Sequence, residues 1–265
     1  MNREDFEVNK EKLKAIIKAN IMLIILVLLV IVFSILSPNF LSLKNLMNIC
    51  TQNAYFLISA IGVTMIMISG NCDLSVGQMI SVVGVCVAIF MQKFGLPVPV
   101  AILLGLGLGG AMGCFNGFAS NLLKIHPMIV TLATMTIYEG ISYTISKSQS
   151  FYNFPNSYKM IGQGYIGVVS VPVIIAIVIA LLVHFILEMT CFGRFIYASG
   201  GNAEAARLAG INTKSIRMIV FALGGVLFAI SSVILTARGG SANSTIGPGT
   251  EFDAITACVL GGISF

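Results

Sequence analysis

From Ala19 to Leu36 the sequence carries no charge, and similar apolar runs recur near 53–69, 76–92, 100–123, 127–146, 168–187 and 217–236. Coiled at 1.5 Å per residue, the first run is about 27 Å long, close to the ~30 Å hydrocarbon core of a bilayer. A water-soluble fold has nowhere to hide so many uninterrupted apolar stretches. Hydrophobic residues make up 57% of the 265 and charged residues 9%, where a soluble domain has about 25% charged. Within lipid a single segment satisfies its peptide groups only by coiling. The expected fold is therefore all-α, a polytopic membrane protein with about eight transmembrane or re-entrant helices.

Arg3, Lys10, Lys12, Lys14 and Lys18 precede the first run as the basic region of a cleavable signal peptide would. The run is longer than the roughly 7–15 apolar residues of such a peptide, and Ser34-Ile35-Leu36-Ser37-Pro38 is a poor cleavage site. An uncleaved first span is expected. The last element begins near 254 and the sequence stops at Phe265, fewer than the ~17 residues a crossing requires. It is either re-entrant or the start of a truncated span.

Cytoplasmic loops of membrane proteins carry the excess of lysine and arginine. With the N-terminus inside, the inner segments hold Arg3, Lys10, Lys12, Lys14, Lys18, Lys124, Arg194, Arg207, Lys214 and Arg217, and the outer ones Lys44, Lys93, Lys147, Lys159 and Arg238. This topology, with residues 1–18 as a basic cytoplasmic N-terminus, places no basic residue within a span. The net charge of +5 then reflects topology and lipid headgroups, and no nucleic-acid footprint is seen. The six cysteines form no CxxC pair and the two histidines lie far apart, so no metal or cofactor site is expected.

Within the inner loop, 188–216, the segment Gly200-Gly201-Asn202-Ala203-Glu204-Ala205-Ala206-Arg207-Leu208-Ala209-Gly210-Ile211 predicts a short helix with both ends marked. Asn202 suits the N-cap, Glu204 the first turn, Arg207 the later turn, and Gly210 the left-handed position after the helix. Such a helix is either a plain connector or a rigid knob for a cytoplasmic partner. Between spans two and three, Ser69-Gly70-Asn71-Cys72-Asp73-Leu74-Ser75-Val76-Gly77-Gln78 interrupts the apolar chain. It is either a short interfacial turn, with Asp73 capping the next helix, or irregular backbone beside a polar cavity.

In the fourth span, Gly105, Gly109, Gly113 and Gly117 recur every four residues and predict a flat face for close packing against another helix. Gly105, Gly107 and Gly110 also spell GxGxxG, but no strand precedes them, which excludes a dinucleotide fingerprint. Glu139 is the acidic residue falling inside a predicted span, and an intramembrane carboxylate by default faces a cavity or a polar partner; a position nearer the interface is the alternative. No GxxxxGK[ST] sequence occurs, so the chain carries no nucleotide-binding P-loop of that form.

Three of these segments, 70–77, 200–211 and Glu251-Phe-Asp-Ala-Ile-Thr-Ala-Cys-Val-Leu-Gly-Gly-Ile-Ser264, together resemble the ribose/xylose/galactose-type permeases of ATP-binding cassette importers, in order and in separation. The resemblance runs from the first span onward. It implies a multi-pass permease domain over 19–265 in a bacterial plasma membrane, with no cofactor and no ATPase of its own. Its implied partners are a cytoplasmic ATP-binding cassette ATPase, an extracytoplasmic sugar-binding protein and a second permease. It further implies that Gly201, Asn202, Glu204, Ala205, Arg207 and Gly210 couple to the ATPase. Asp73, Ser75 and Gly77 would shape a broken helix near the translocation path, with Asp253 in a like role; Glu139 stands where the family often has a basic residue. The family continues for about two further spans beyond Leu-Gly-Gly, so a C-terminally truncated permease is expected. An ion-coupled carrier, or an inactive fragment, is the competing reading.

Overall fold

The structure, a computed structural model, describes residues 21–263. The basic segment 1–18, the first residues of the expected span from Ala19, and Ser264 lie outside the described residues. The chain divides into two compact units, one ending at Ile49 and one from Cys50 onward.

The first unit contains α1 (Ile21–Leu36) and the opening of α2 (Leu43–Ile68). Helix α1 is apolar on every side and exposed all round, for example at Leu23 and Leu26, the pattern of a helix whose solvent is lipid. Ser42 and Phe40 bound the start of α2: the Asn45 amide donates to Ser42 Oγ at 3.3 Å, and Asn45 Nδ2 to the Phe40 carbonyl at 2.7 Å. Helix α2 thus begins well before the expected 53. Lys44, Asn45 and Asn48 dilute its first turns and conceal them from a reading of apolar runs.

The second unit holds the rest of α2, then α3 (Val76–Gln92), α4 (Val98–Leu123), α5 (Pro127–Ser146), α6 (Asn156–Gln163), a two-strand hairpin β1 (Tyr165–Ile166) and β2 (Val169–Ser170), α7 (Val171–Met189), α8 (Cys191–Gly201), α9 (Ala203–Leu208), α10 (Thr213–Gly239) and α11 (Thr250–Leu260). Helices α2, α4, α7 and α10 are long and apolar enough to cross a membrane. The two long loops are more structured than the sequence reading expects. The outer one contains α6 and the hairpin, and the inner one contains two helices, α8 and α9, in place of one. Helix α11, which begins at 250 rather than near 254, has 11 residues and is about 16 Å long, short of a crossing.

Helix α10 is the axis of this unit. Along α4 the ladder Gly105, Gly109, Gly113, Gly117 turns successively toward Val87, Ala229, the Phe221 carbonyl and Met218, and a Cβ on Gly117 would stand 2.9 Å from the Met218 Cα. From Gly109 onward the partner is α10, which answers with its own Gly225, so the two backbones approach without intervening side chains. Hydroxyls tie α10 to its other neighbours: Ser232 donates to the Ile80 carbonyl at 2.6 Å, Ser59 to Ser231 at 2.8 Å, and the Tyr158 and Thr236 hydroxyls meet at 2.6 Å. Ile58, Ile66, Met79, Val83, Phe221 and Phe228 are buried between them. Helix α3 is buried along nearly its whole length, whereas α7 exposes Ile177, Leu181 and Phe185. The first is a core helix and the second a lipid-facing one.

Candidate functional site

Between α2 and α3 the helical backbone stops for residues 69–75, with Gly70 left-handed at φ +75°. Peptide groups at such a break need partners other than lipid, and α4 and α5 supply them. Asp73 is fully buried. Its Oδ1 accepts from the Ser75 amide at 2.8 Å and from Ser75 Oγ at 2.6 Å. Asn116 of α4 donates through Nδ2 to Ser75 Oγ at 2.9 Å and to Asp73 Oδ2 at 3.4 Å. Tyr138 of α5 donates to Asn116 Oδ1 at 3.2 Å, and Thr131 Oγ1 accepts the Leu74 amide at 3.1 Å. Asp73 therefore does not stand in a turn open to solvent. It is the centre of a buried network that pins the break to two neighbouring helices.

The second irregular stretch leads into α11. Its backbone reaches Gly77, where the two segments touch at paired glycines; a Cβ on Gly247 would lie 2.9 Å from the Gly77 carbonyl carbon and 3.0 Å from Ser81 Oγ. Ser81 Oγ accepts the Gly247 amide at 3.1 Å, and Thr250 Oγ1 donates to the Gly247 carbonyl at 2.7 Å. Two helices thus start near one another, α3 at 76 and α11 at 250, where the Gly77 and Gly247 backbones touch. Glu251 lies there, 1% exposed. Its Oε1 accepts the Gly249 amide at 3.0 Å, while among the described residues Oε2 is buried without a hydrogen-bond partner, as is Gln78 Oε1 in the neighbouring turn of α3.

Asp253 occupies a different surface. With Asn53, Tyr55, Phe56 and Thr256 it lines an open groove of about 400 Å³ between α2 and α11. Hydrogen-bonding side chains beside two aromatic faces suit a neutral, hydroxyl-rich solute. Glu139 is half-buried on α5, and among the described residues no hydrogen bond ties it to the Asp73 network. The carboxylates grouped by the sequence reading therefore separate into a structural centre (Asp73), a groove wall (Asp253) and an outlier (Glu139).

At the end of the bundle where α7 stops, α8 and α9 form a two-helix projection. Thr190 caps α8, accepting the Gly193 amide at 3.2 Å, and Asn202 caps α9, accepting the Ala205 amide at 2.9 Å. Partial burial, and then the facing Glu188 carboxylate, which accepts the Tyr197 hydroxyl at 3.2 Å, hold that phenol above its ordinary value. Glu204 and Arg207 pair at 2.6 Å but are largely exposed, so the pair adds little stability. Gly210 takes φ +86° and closes the helix. Gly201, Asn202, Glu204, Ala205, Arg207 and Gly210 are all exposed, and only Ala206 of α9 is buried. The projection is not free of the bundle, however. Gly200 lies on the last turn of α2: its Cα is 3.3 Å from where a Gly70 Cβ would be, and a Cβ on Gly200 would overlap the Ile68 carbonyl oxygen.

Asn116, Tyr138, Thr131 and Glu251 were not singled out by the sequence reading. Asn116 was legible as the lone amide inside the glycine ladder; Tyr138 and Thr131 carry no local signal and join the Asp73 network only through packing.

The family described as the permease component of the branched-chain amino acid transport system matches residues 45–265. The ribose import permease protein RbsC of Haemophilus influenzae is 36% identical over 249 residues, spanning 91% of this chain and 76% of that protein. The probable ABC transporter permease protein YphD of Escherichia coli is 38% identical over 242 residues, 91% of this chain and 72% of its own length. The galactose/methyl galactoside import permease protein MglC of Escherichia coli is 31% identical over 275 residues, 97% of this chain and 82% of that protein. No solved structure matches the chain. With its interrupted membrane helices, its capped projection and this alignment along nearly the whole sequence, the chain belongs to the permease-component family of the branched-chain amino acid transport system.

Proposed function

We propose that this chain is the membrane subunit of an ATP-binding cassette importer that moves a monosaccharide, ribose-like in size and polarity, across a bacterial plasma membrane by alternating access. The α8–α9 projection and the N-terminus are cytoplasmic, as the excess of basic residues at that end favours. A separate ATPase seats on Asn202, Glu204, Ala205 and Arg207. A sugar-binding protein docks on the opposite side, and a second permease, identical or related, completes the pathway. Relatives named for ribose and galactose import support the substrate class, and the groove holding Asp253, Thr256, Tyr55 and Phe56 offers the hydrogen bonds and flat apolar faces such a solute uses.

The observation that carries the mechanism is the seat of Gly200 on Ile68 and Gly70. A push on α9 is delivered, through α8, to the residue where α2 gives way to the Asp73 segment. Movement of the ATPases therefore acts first on the interrupted helix. The test is ATP-dependent sugar uptake by the reconstituted transporter with Glu204→Ala and Arg207→Ala together. Uptake should fall at least about tenfold, the equivalent of ~1.4 kcal/mol of lost coupling, with the ATPase still active alone. Unaltered uptake would remove the coupling role, and uptake driven by a proton or sodium gradient without ATP would favour an ion-coupled carrier.

A further inference from the structure

Near the start of α10, on the α8–α9 end of the bundle, the turn joining α4 to α5 and the first turn of α10 enclose a groove of about 390 Å³. Its polar lining includes Asn121, Lys124, His126, Lys214 and Arg217. The lining holds three cations, Lys124, Lys214 and Arg217, and no carboxylate, whereas Arg207 on α9 is already paired with Glu204. Arg217 is held in place, with Nη1 donating to Asn121 Oδ1 at 3.0 Å, while Asn121 Nδ2 donates to the Lys214 carbonyl at 2.9 Å. Its Nε is buried without an acceptor among the described residues. A buried, unpaired guanidinium N–H is costly, and an anion entering the groove would relieve it together with the repulsion among the cations.

The surroundings specify what kind of anion. Directly beside the groove the same helices expose Leu122, Leu123, Met128 and Ile129, at 65%, 60%, 47% and 59%. These side chains are part of the lipid-facing surface, so the cations lie at the depth where headgroups meet hydrocarbon. A free phosphate would use the charges and leave the apolar flank idle. An acidic phospholipid uses both, its phosphate among Lys124, Lys214 and Arg217 and its acyl chain along Leu122, Leu123 and Ile129. We propose that this groove is a binding site for an anionic phospholipid headgroup, pinning the α4–α5 turn to α10 from the lipid side. Basic pockets between spanning helices on the cytoplasmic side are chemically suited to such lipids.

The full chain, purified in detergent, would be titrated with phosphatidylglycerol and, separately, phosphatidylcholine, and the retained lipid counted by native mass spectrometry. Phosphatidylglycerol should be retained at least about tenfold more strongly than phosphatidylcholine. Lys124→Gln and Lys214→Gln, both at exposed positions, should each weaken retention about fivefold. Lys147→Gln, at the far end of α5, should leave it unchanged, and Arg217→Gln should lower it further in protein that stays monodisperse. Equal retention of the two lipids, or an unchanged affinity in the double lysine variant, would overturn the proposal. Displacement of phosphatidylglycerol by millimolar inorganic phosphate would overturn it too, by showing a free-anion site. None of these readouts depends on transport, so the outcome stands apart from the assignment of the importer.

Discussion

Asp73 shows how a charged residue can be housed in an apolar protein. Two donors from Ser75 and one from Asn116 converge on its carboxylate, and the residues supplying them gain an acceptor they could not find in lipid. Removing it would orphan several groups at once. Asp73→Ala leaves the Ser75 amide and the Asn116 amide buried without that acceptor, at a cost of about 2–3 kcal/mol. The variant should lose thermal stability in detergent, read as an earlier unfolding transition, and Asp73→Asn, which retains one acceptor oxygen, should lose less. If the alanine variant unfolded at the parental temperature, the network would not be what holds the break. Glu251 differs in kind: one of its oxygens accepts the Gly249 amide, and the other is buried with no hydrogen-bond partner among the described residues.

Among the described elements, α4 and α10 make the most extensive contact, and its glycines are not equivalent. A methyl at Gly113 would overlap the Phe221 carbonyl, whereas one at Gly107 would meet nothing within 4 Å. Gly113→Ala should therefore force the helices apart and destabilise by about 1–3 kcal/mol, while Gly107→Ala should be neutral or stabilising by at most about 1 kcal/mol. Unfolding of the two variants side by side in one detergent measures the difference, and equal behaviour would contradict the packing. Helix α9 offers a second contrast. Its six residues depend on the Asn202 cap, so Asn202→Ala should cost the helix about 1 kcal/mol. Hydrogen exchange should then quicken over 203–208 and leave α4 and α10 unchanged.

At the largest scale, within the unit from Cys50 onward, two irregular stretches, 69–75 and 240–249, meet at the start of α3 while one projection bears on the first of them. The proposed orientation makes Cys191, exposed at the start of α8, cytoplasmic. A membrane-impermeant thiol reagent should label it in inside-out vesicles and not in intact cells; labelling from the cell exterior would invert the topology. Gly200 tests the transmission itself. Gly200→Val would set a side chain against the Ile68 carbonyl, and the proposed importer should then uncouple, hydrolysing ATP with little uptake, while remaining in the membrane.

The membrane class, most helix limits and the capped α9 were legible because each rests on local physics. Uninterrupted apolar stretches such as Val171–Met189 have no alternative to lipid or a core, and Asn202 and Gly210 mark helix ends by side-chain and backbone chemistry that acts within one turn. The four-residue glycine spacing likewise announced a packing face, since 3.6 residues per turn puts those positions on one side. Local sequence says nothing of partners far along the chain. That Asp73 would meet Asn116 and Tyr138, that Gly77 would touch Gly247 beside Glu251, and that Gly200 would rest on Ile68 are contacts between segments separated by tens to hundreds of residues, and only tertiary packing brings them together. Depth in the bundle was decided there as well: an acidic side chain is buried in a network at 73, lines a groove at 253 and is half-buried on α5 at 139, because burial depends on which helices close around a position rather than on its neighbours in the chain.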